Sequence, residues 1–224
     1  IEYSHRLVTG LVGILLLVTF VAVWRYVKRT DARVYAAGTA FFTIVQSSLG
    51  ALAVMWPQTP QVMALHFGIS LLAFAFTLLL ALSLWDYDPE IDSREDAERH
   101  RNRIRAAAGQ VQHVRKLNAL TWTTMAICYI VVYLGAFVRH TDSSGGCMGW
   151  PLCNGQWIPE LSGASGIVFI HRVAALILIL MTLWLSILAK RYAAHTDIAI
   201  FGGWALYLVV MQALSGAFVT YTLQ

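Results

Sequence analysis

Six long apolar runs, separated by polar and charged stretches, organise the chain, falling at 4–24, 34–56, 61–85, 118–139, 166–189 and 198–220. A helix crosses the hydrocarbon core of a bilayer in about 20 residues, and every run is long enough. The runs are continuous rather than alternating, which favours helices over a transmembrane barrel, because lipid requires backbone hydrogen bonds to be closed within the segment. The pattern predicts an all-α, polytopic membrane bundle of six spans. Composition agrees: of 224 residues, 58% are hydrophobic and 12% are charged. That is about half the charge of an average soluble domain. A soluble fold of this size cannot bury so much apolar surface, so soluble-enzyme classes are excluded.

The polar stretches are one-sided in charge. Arg25, Lys28, Arg29 and Arg33 follow the first span. Arg94, Arg99, Arg101, Arg103, Arg105, Arg115 and Lys116 follow the third, and Lys190 and Arg191 follow the fifth. Together they hold 13 of the 16 basic residues. The positive-inside tendency puts these loops in the cytoplasm and both ends of the chain outside the cell membrane. The net charge of +4 therefore reflects topology rather than nucleic-acid binding. Segment 86–117, acidic in its first half and basic in its second, reads as a solvated connector. It separates an N-terminal half, 1–85, from a C-terminal half, 118–224. Trp24, Trp56 and Trp85 stand at span ends, as interfacial anchors do.

The chain repeats itself. Shifting it by 166 positions lays 1–58 on 167–224 without a gap and matches twelve residues, against about four or five expected of unrelated apolar helices. His5-Arg6 falls on His171-Arg172, Arg25-Tyr26 on Arg191-Tyr192, Thr30-Asp31 on Thr196-Asp197, Gln46 on Gln212 and Gly50-Ala51 on Gly216-Ala217. Both copies run in the same direction, which implies a pseudo-two-fold along the membrane normal. The fourth span precedes the second copy and the third follows the first. The expected parent is thus two four-helix halves, of which this chain carries six spans out of eight.

Ionisable residues inside spans are costly, and each is a functional candidate. His5 lies about one turn into the first span and His66 at similar depth in the third; His171 repeats His5. Imidazoles on neighbouring helices could hold a haem iron. His140 begins an outer loop and reads as solvated or propionate-facing, while His100, His113 and His195 read as surface residues. Arg6 and Arg172 follow their histidines, and arginine suits carboxylates such as haem propionates. Glu2 shares a helical face with His5, whereas its repeat partner is Val168, which suggests one reactive half and one cofactor-holding half. Cys147 and Cys153 share a loop rich in Gly, Pro and Ser, where either a structural disulfide or a redox-active pair is possible. Cys128, in mid-span, reads as a small core residue.

These residues resemble the haem A synthase family in its cysteine-containing bacterial type. The resemblance is carried by Glu2-Tyr3-Ser4-His5-Arg6, Leu49-Gly50-Ala51-Leu52-Ala53, Ala64-Leu65-His66-Phe67-Gly68 and Tyr133-Leu134-Gly135-Ala136-Phe137-Val138-Arg139-His140-Thr141. Pro151-Leu152-Cys153-Asn154-Gly155 and His171-Arg172 complete it. The resemblance implies oxidation of the C8 methyl of haem O to the formyl of haem A. It also implies that His5 and His66 flank the substrate haem with Glu2 as catalytic carboxylate, that Arg6 assists binding, and that His171 ligates a haem b whose propionate meets Arg172. The second ligand of that haem would fall near position 232, outside this chain. Haem O synthase (the farnesyltransferase) and the assembly of cytochrome oxidase are the implied partners. A di-haem b-type cytochrome oxidising quinol is the alternative; it explains the histidines but gives Glu2 no task. A transporter is disfavoured by the unbroken helices.

Overall fold

The computed structural model describes residues 2–55, 59–85, 98, 102, 105–106, 114–193 and 197–222. Six long helices are present: α1 (Glu2–Tyr26), α2 (Thr30–Met55), α3 (Pro60–Trp85), α4 (Val114–His140), α5 (Gly163–Tyr192) and α6 (Asp197–Thr222). All six are long and apolar enough to cross a membrane, and no strand occurs among the described residues. The protein is a multi-pass helical membrane protein. Large apolar side chains such as Leu11, Leu17, Phe74 and Trp184 face outward, as a lipid-solvated surface requires.

The helix ends follow local chemistry. Pro60 opens α3, where its missing N–H removes nothing from the helix. Asp31 and Asp197 sit in the first turns of α2 and α6, and Arg25, Lys190 and Arg191 in the last turns of α1 and α5, each matching the helix dipole. The α1–α2 turn is locked from within. Arg33 Nε donates to the Val27 carbonyl at 2.8 Å and Arg29 pairs with Asp31 at 2.6 Å. Every span begins earlier than its apolar run, most of all α2 at Thr30 instead of 34, α4 at Val114 instead of 118 and α5 at Gly163 instead of 166. Polar and small residues extend these helices beyond the stretch that hydropathy detects.

The chain forms two compact units, 1–104 and 105–224, dividing within the charged connector. In the first, α1 and α3 each pack on α2. Val23, Val27, Ala32, Ala36 and Leu80 are buried together, and the Phe76 ring lies directly on Gly38. In the second, α4 and α6 each pack on α5, with Gly202 of α6 against Ala189. Trp24 and Trp85 are exposed at their helix ends. Trp56, His100, His113, His195 and most of segment 86–117 lie outside the described residues, as does the side chain of Glu2.

Candidate functional site

Each unit presents one half-buried histidine in the same setting. In the first, His66 projects from the second turn of α3 onto α2. An added Cβ at Gly50 would stand 3.2 Å from His66 Cε1, with both ring nitrogens at 3.8 Å. The turn carrying His66 is tied to α2, because the Ser70 hydroxyl lies 2.6 Å from Gln46 Oε1 and 2.8 Å from the His66 carbonyl. In the second unit, His171 of α5 faces α4. An added Cβ at Gly135 would stand 3.0 Å from His171 Cε1, 3.5 Å from Nε2 and 3.7 Å from Nδ1. The Val131 backbone, one turn earlier on α4, lies within hydrogen-bonding reach of this ring.

In both histidines Nδ1 is buried and has no hydrogen-bond partner among the described residues. A buried polar atom left unpaired is costly, so each ring is short of a partner. Imidazole in an apolar helical wall is a donor suited to haem iron. The residues present fit a haem. No cluster of three or more metal-binding side chains occurs among the described residues, but axial ligation of a porphyrin needs at most two.

The other expected site residues are placed unevenly. His5 and Arg6 are exposed on the first turns of α1, and His140 closes α4 half-buried. Cys128 is a half-buried free thiol. Arg172 is directed at the loop preceding α5. Its Nη1 donates to the carbonyls of Gly149 (2.9 Å) and Leu152 (3.4 Å), and its Nη2 to that of Cys147 (3.0 Å). Three hydrogen bonds leave part of the five-donor guanidinium fork uncommitted by them.

That loop is built around the Cys147–Cys153 disulfide, whose Cα atoms are 4.7 Å apart. Both cysteines are buried, together with Val168 of α5. Asn154 and Gly155, at φ 52° and 77°, occupy the two left-handed positions of a tight two-residue turn, for which Asn-Gly is the preferred pair. The turn is closed by reciprocal Cys153–Gln156 backbone bonds at 3.0 Å. Asn154 Oδ1 accepts from the Met148 amide, and its Nδ2 donates to the Gly146 carbonyl. Tyr221 of α6 donates its hydroxyl to the Trp150 carbonyl at 3.0 Å. The loop is thus held to α5 by Arg172 and to α6 by Tyr221.

Sequence reasoning missed Gly50, Gly135, Asn154 and Tyr221 as site-building residues. A signal for the glycines was available: Gly135-Ala136-Phe137-Val138 recurs as Gly216-Ala217-Phe218-Val219, and Gly50-Ala51 stands at the equivalent place in the first copy.

The architecture defines a class: a polytopic helical membrane protein built by internal repetition, with a half-buried histidine laid against a helical glycine in each unit. The family model of the cytochrome oxidase assembly proteins (COX15-CtaA) matches residues 1–223, and the chain belongs to that family. Three relatives, each named heme A synthase, bracket its similarity. That of Symbiobacterium thermophilum is 40% identical over 97% of this chain and 68% of its own length. That of Shouchella clausii is 37% identical over 99% and 70%, and that of Listeria monocytogenes 34% identical over 99% and 68%.

Proposed function

We propose that this chain is the greater part of a haem A synthase, an oxidoreductase that converts the C8 methyl of haem O to the formyl of haem A. The observation that carries the proposal is the match to relatives of that name along 97–99% of the chain. The half-buried imidazoles of His66 and His171, each with a buried Nδ1 that has no hydrogen-bond partner among the described residues, support it. His5 and His66 hold the substrate haem O in the N-terminal half, and Arg6 binds a propionate there. His171 would hold a haem b in the C-terminal half, and Arg172 would meet one of its propionates with the donors its loop leaves over. When bound, haem b supplies a one-electron relay. Formation of the formyl takes up one oxygen atom and releases protons and electrons (with water as the oxygen source, R–CH3 + H2O → R–CHO + 4 H+ + 4 e−, the electrons leaving to an external acceptor), so a proton acceptor must stand beside the methyl. Glu2, one turn from His5, is that acceptor. The protein spans the cell membrane with both ends of this chain outside, takes haem O from the farnesyltransferase that makes it and delivers haem A to cytochrome oxidase assembly.

Extraction of pigments from the protein purified from membranes tests the reading. Haem O or haem A together with haem b is the expected outcome. Haem b alone would identify a quinol-oxidising cytochrome instead, and an absence of haem would leave a transporter. In the full-length protein, His171→Ala should remove haem b; retention of both haems with unchanged spectra would refute the assignment.

A further inference from the structure

We infer that Gly50 and Gly135 are positioning residues, each a bare stretch of helix against which an iron-binding imidazole is laid. The inference rests on the haem-ligand reading of His66 and His171. Glycine is the poorest helix former after proline, yet both glycines lie inside long helices, α2 and α4. Their φ values are not in the left-handed region, so backbone conformation does not call for them. What each faces is an imidazole. In both units the ring presents its Cε1 edge to the glycine, at 3.2 Å and 3.0 Å from an added Cβ, with the two nitrogens on either side. These separations are tighter than ordinary side-chain contacts, so any larger residue would push the ring by a few tenths of an ångström. A shift of that size approaches the tolerance within which a ligand constellation keeps its geometry. The seat therefore fixes how far the ring stands from the helix it faces and which way its nitrogens point, the task that hydrogen-bonding neighbours perform at many metal sites.

One comparison within the chain separates this role from general helix packing. At Gly38 the occupant of the glycine surface is the Phe76 ring, an apolar contact with no ligand in it. By the repeat, Gly216 is the equivalent of Gly50, so the same seat is expected there for a histidine near position 232.

The test uses the haem-loaded full-length protein carrying Gly50→Ala, Gly135→Ala or, as control, Gly203→Ala, where an added Cβ has open space. Haem content, the Soret and α bands and the low-temperature EPR spectrum of the ferric haems are compared. The two seat variants should each shift the signals of one haem while Gly203→Ala overlays the parent, and Gly135→Val should lose the haem of its half. Seat variants with the parent's haem content and spectra would overturn the inference and leave the functional reading intact. A parent without haem would instead overturn that reading, and the inference with it. If Gly135→Ala fails to accumulate, the double variant Gly135→Ala/His171→Ala decides. Recovery of folded protein shows that the ring is what the methyl meets, and no recovery overturns the inference.

Discussion

At the scale of single residues, the chemistry rests on a few polar groups set in an apolar wall. Glu2 is the carboxylate we assign to proton removal. Glu2→Gln in the full-length enzyme keeps size and hydrogen-bonding shape but cannot accept a proton. It should still bind haem O and fail to form haem A, read by pigment chromatography. Near-normal conversion would return Glu2 to the role of a helix-start residue favoured by the dipole. The candidate histidines were legible in the sequence because a charged or polar residue in an apolar run stands out by itself. The glycines opposite them were not, because a glycine acquires meaning only from what lies across from it. Gly50 and His66 are on different helices, and so are Gly135 and His171. Arg172 shows the same limit: its place beside His171 suggested a propionate contact, whereas the bonds the structure gives it go to the carbonyls of the disulfide loop.

At the scale of elements, helices were the most readable feature, since apolar runs of bilayer length admit few other structures. Their ends were less so: Arg115, Lys116 and Leu117 belong to α4 although the apolar run starts after them. The loop between α4 and α5 was the least readable. Its cysteines were visible, but its latches from Arg172 and Tyr221 join residues far apart in sequence. Closing a loop this short with a disulfide contributes about 2 kcal/mol in the chain-entropy model. Cys147→Ser/Cys153→Ser should therefore lower thermal stability modestly without unfolding the protein, because the hydrogen-bonded latches persist. Thiol titration of the native protein should find Cys128 alone reactive; three titratable thiols would show that the pair is reduced.

At the scale of the whole molecule, the repeat and the charge asymmetry are statements about how the chain was assembled and how it is inserted. The basic loops 25–33, 86–117 and 190–197 belong on the cytoplasmic side if the positive-inside tendency governs insertion. A cysteine introduced at position 95 should be inaccessible to a membrane-impermeant thiol reagent applied to intact cells and labelled after lysis. Labelling from outside would invert the topology. The repeat was legible because polar matches such as His5-Arg6 with His171-Arg172 are improbable among lipid-facing helices. The environments of the two copies were not legible, and there the structure adds most.

Position 168 shows what the covering loop entails. Val168 is 6% exposed and packs beneath Cys147 and Cys153, at the place where the first copy carries Glu2. A carboxylate installed there would be roofed by a disulfide and would compete with the Cys147 carbonyl for the Arg172 guanidinium four residues on, and taking a carboxylate out of water costs on the order of several kcal/mol even beside a partner. Val168→Glu should accordingly lower the thermal midpoint far more than Val168→Thr and should not make the second half oxidise a methyl group. Equal stability of the two variants would show that the loop lifts to admit water. The halves of such a duplicated protein are then not interchangeable by trading one letter. A residue covered by a covalently closed loop answers to that loop as well as to its own helix, so a change at position 168 is read first in the geometry of Cys147 and Cys153.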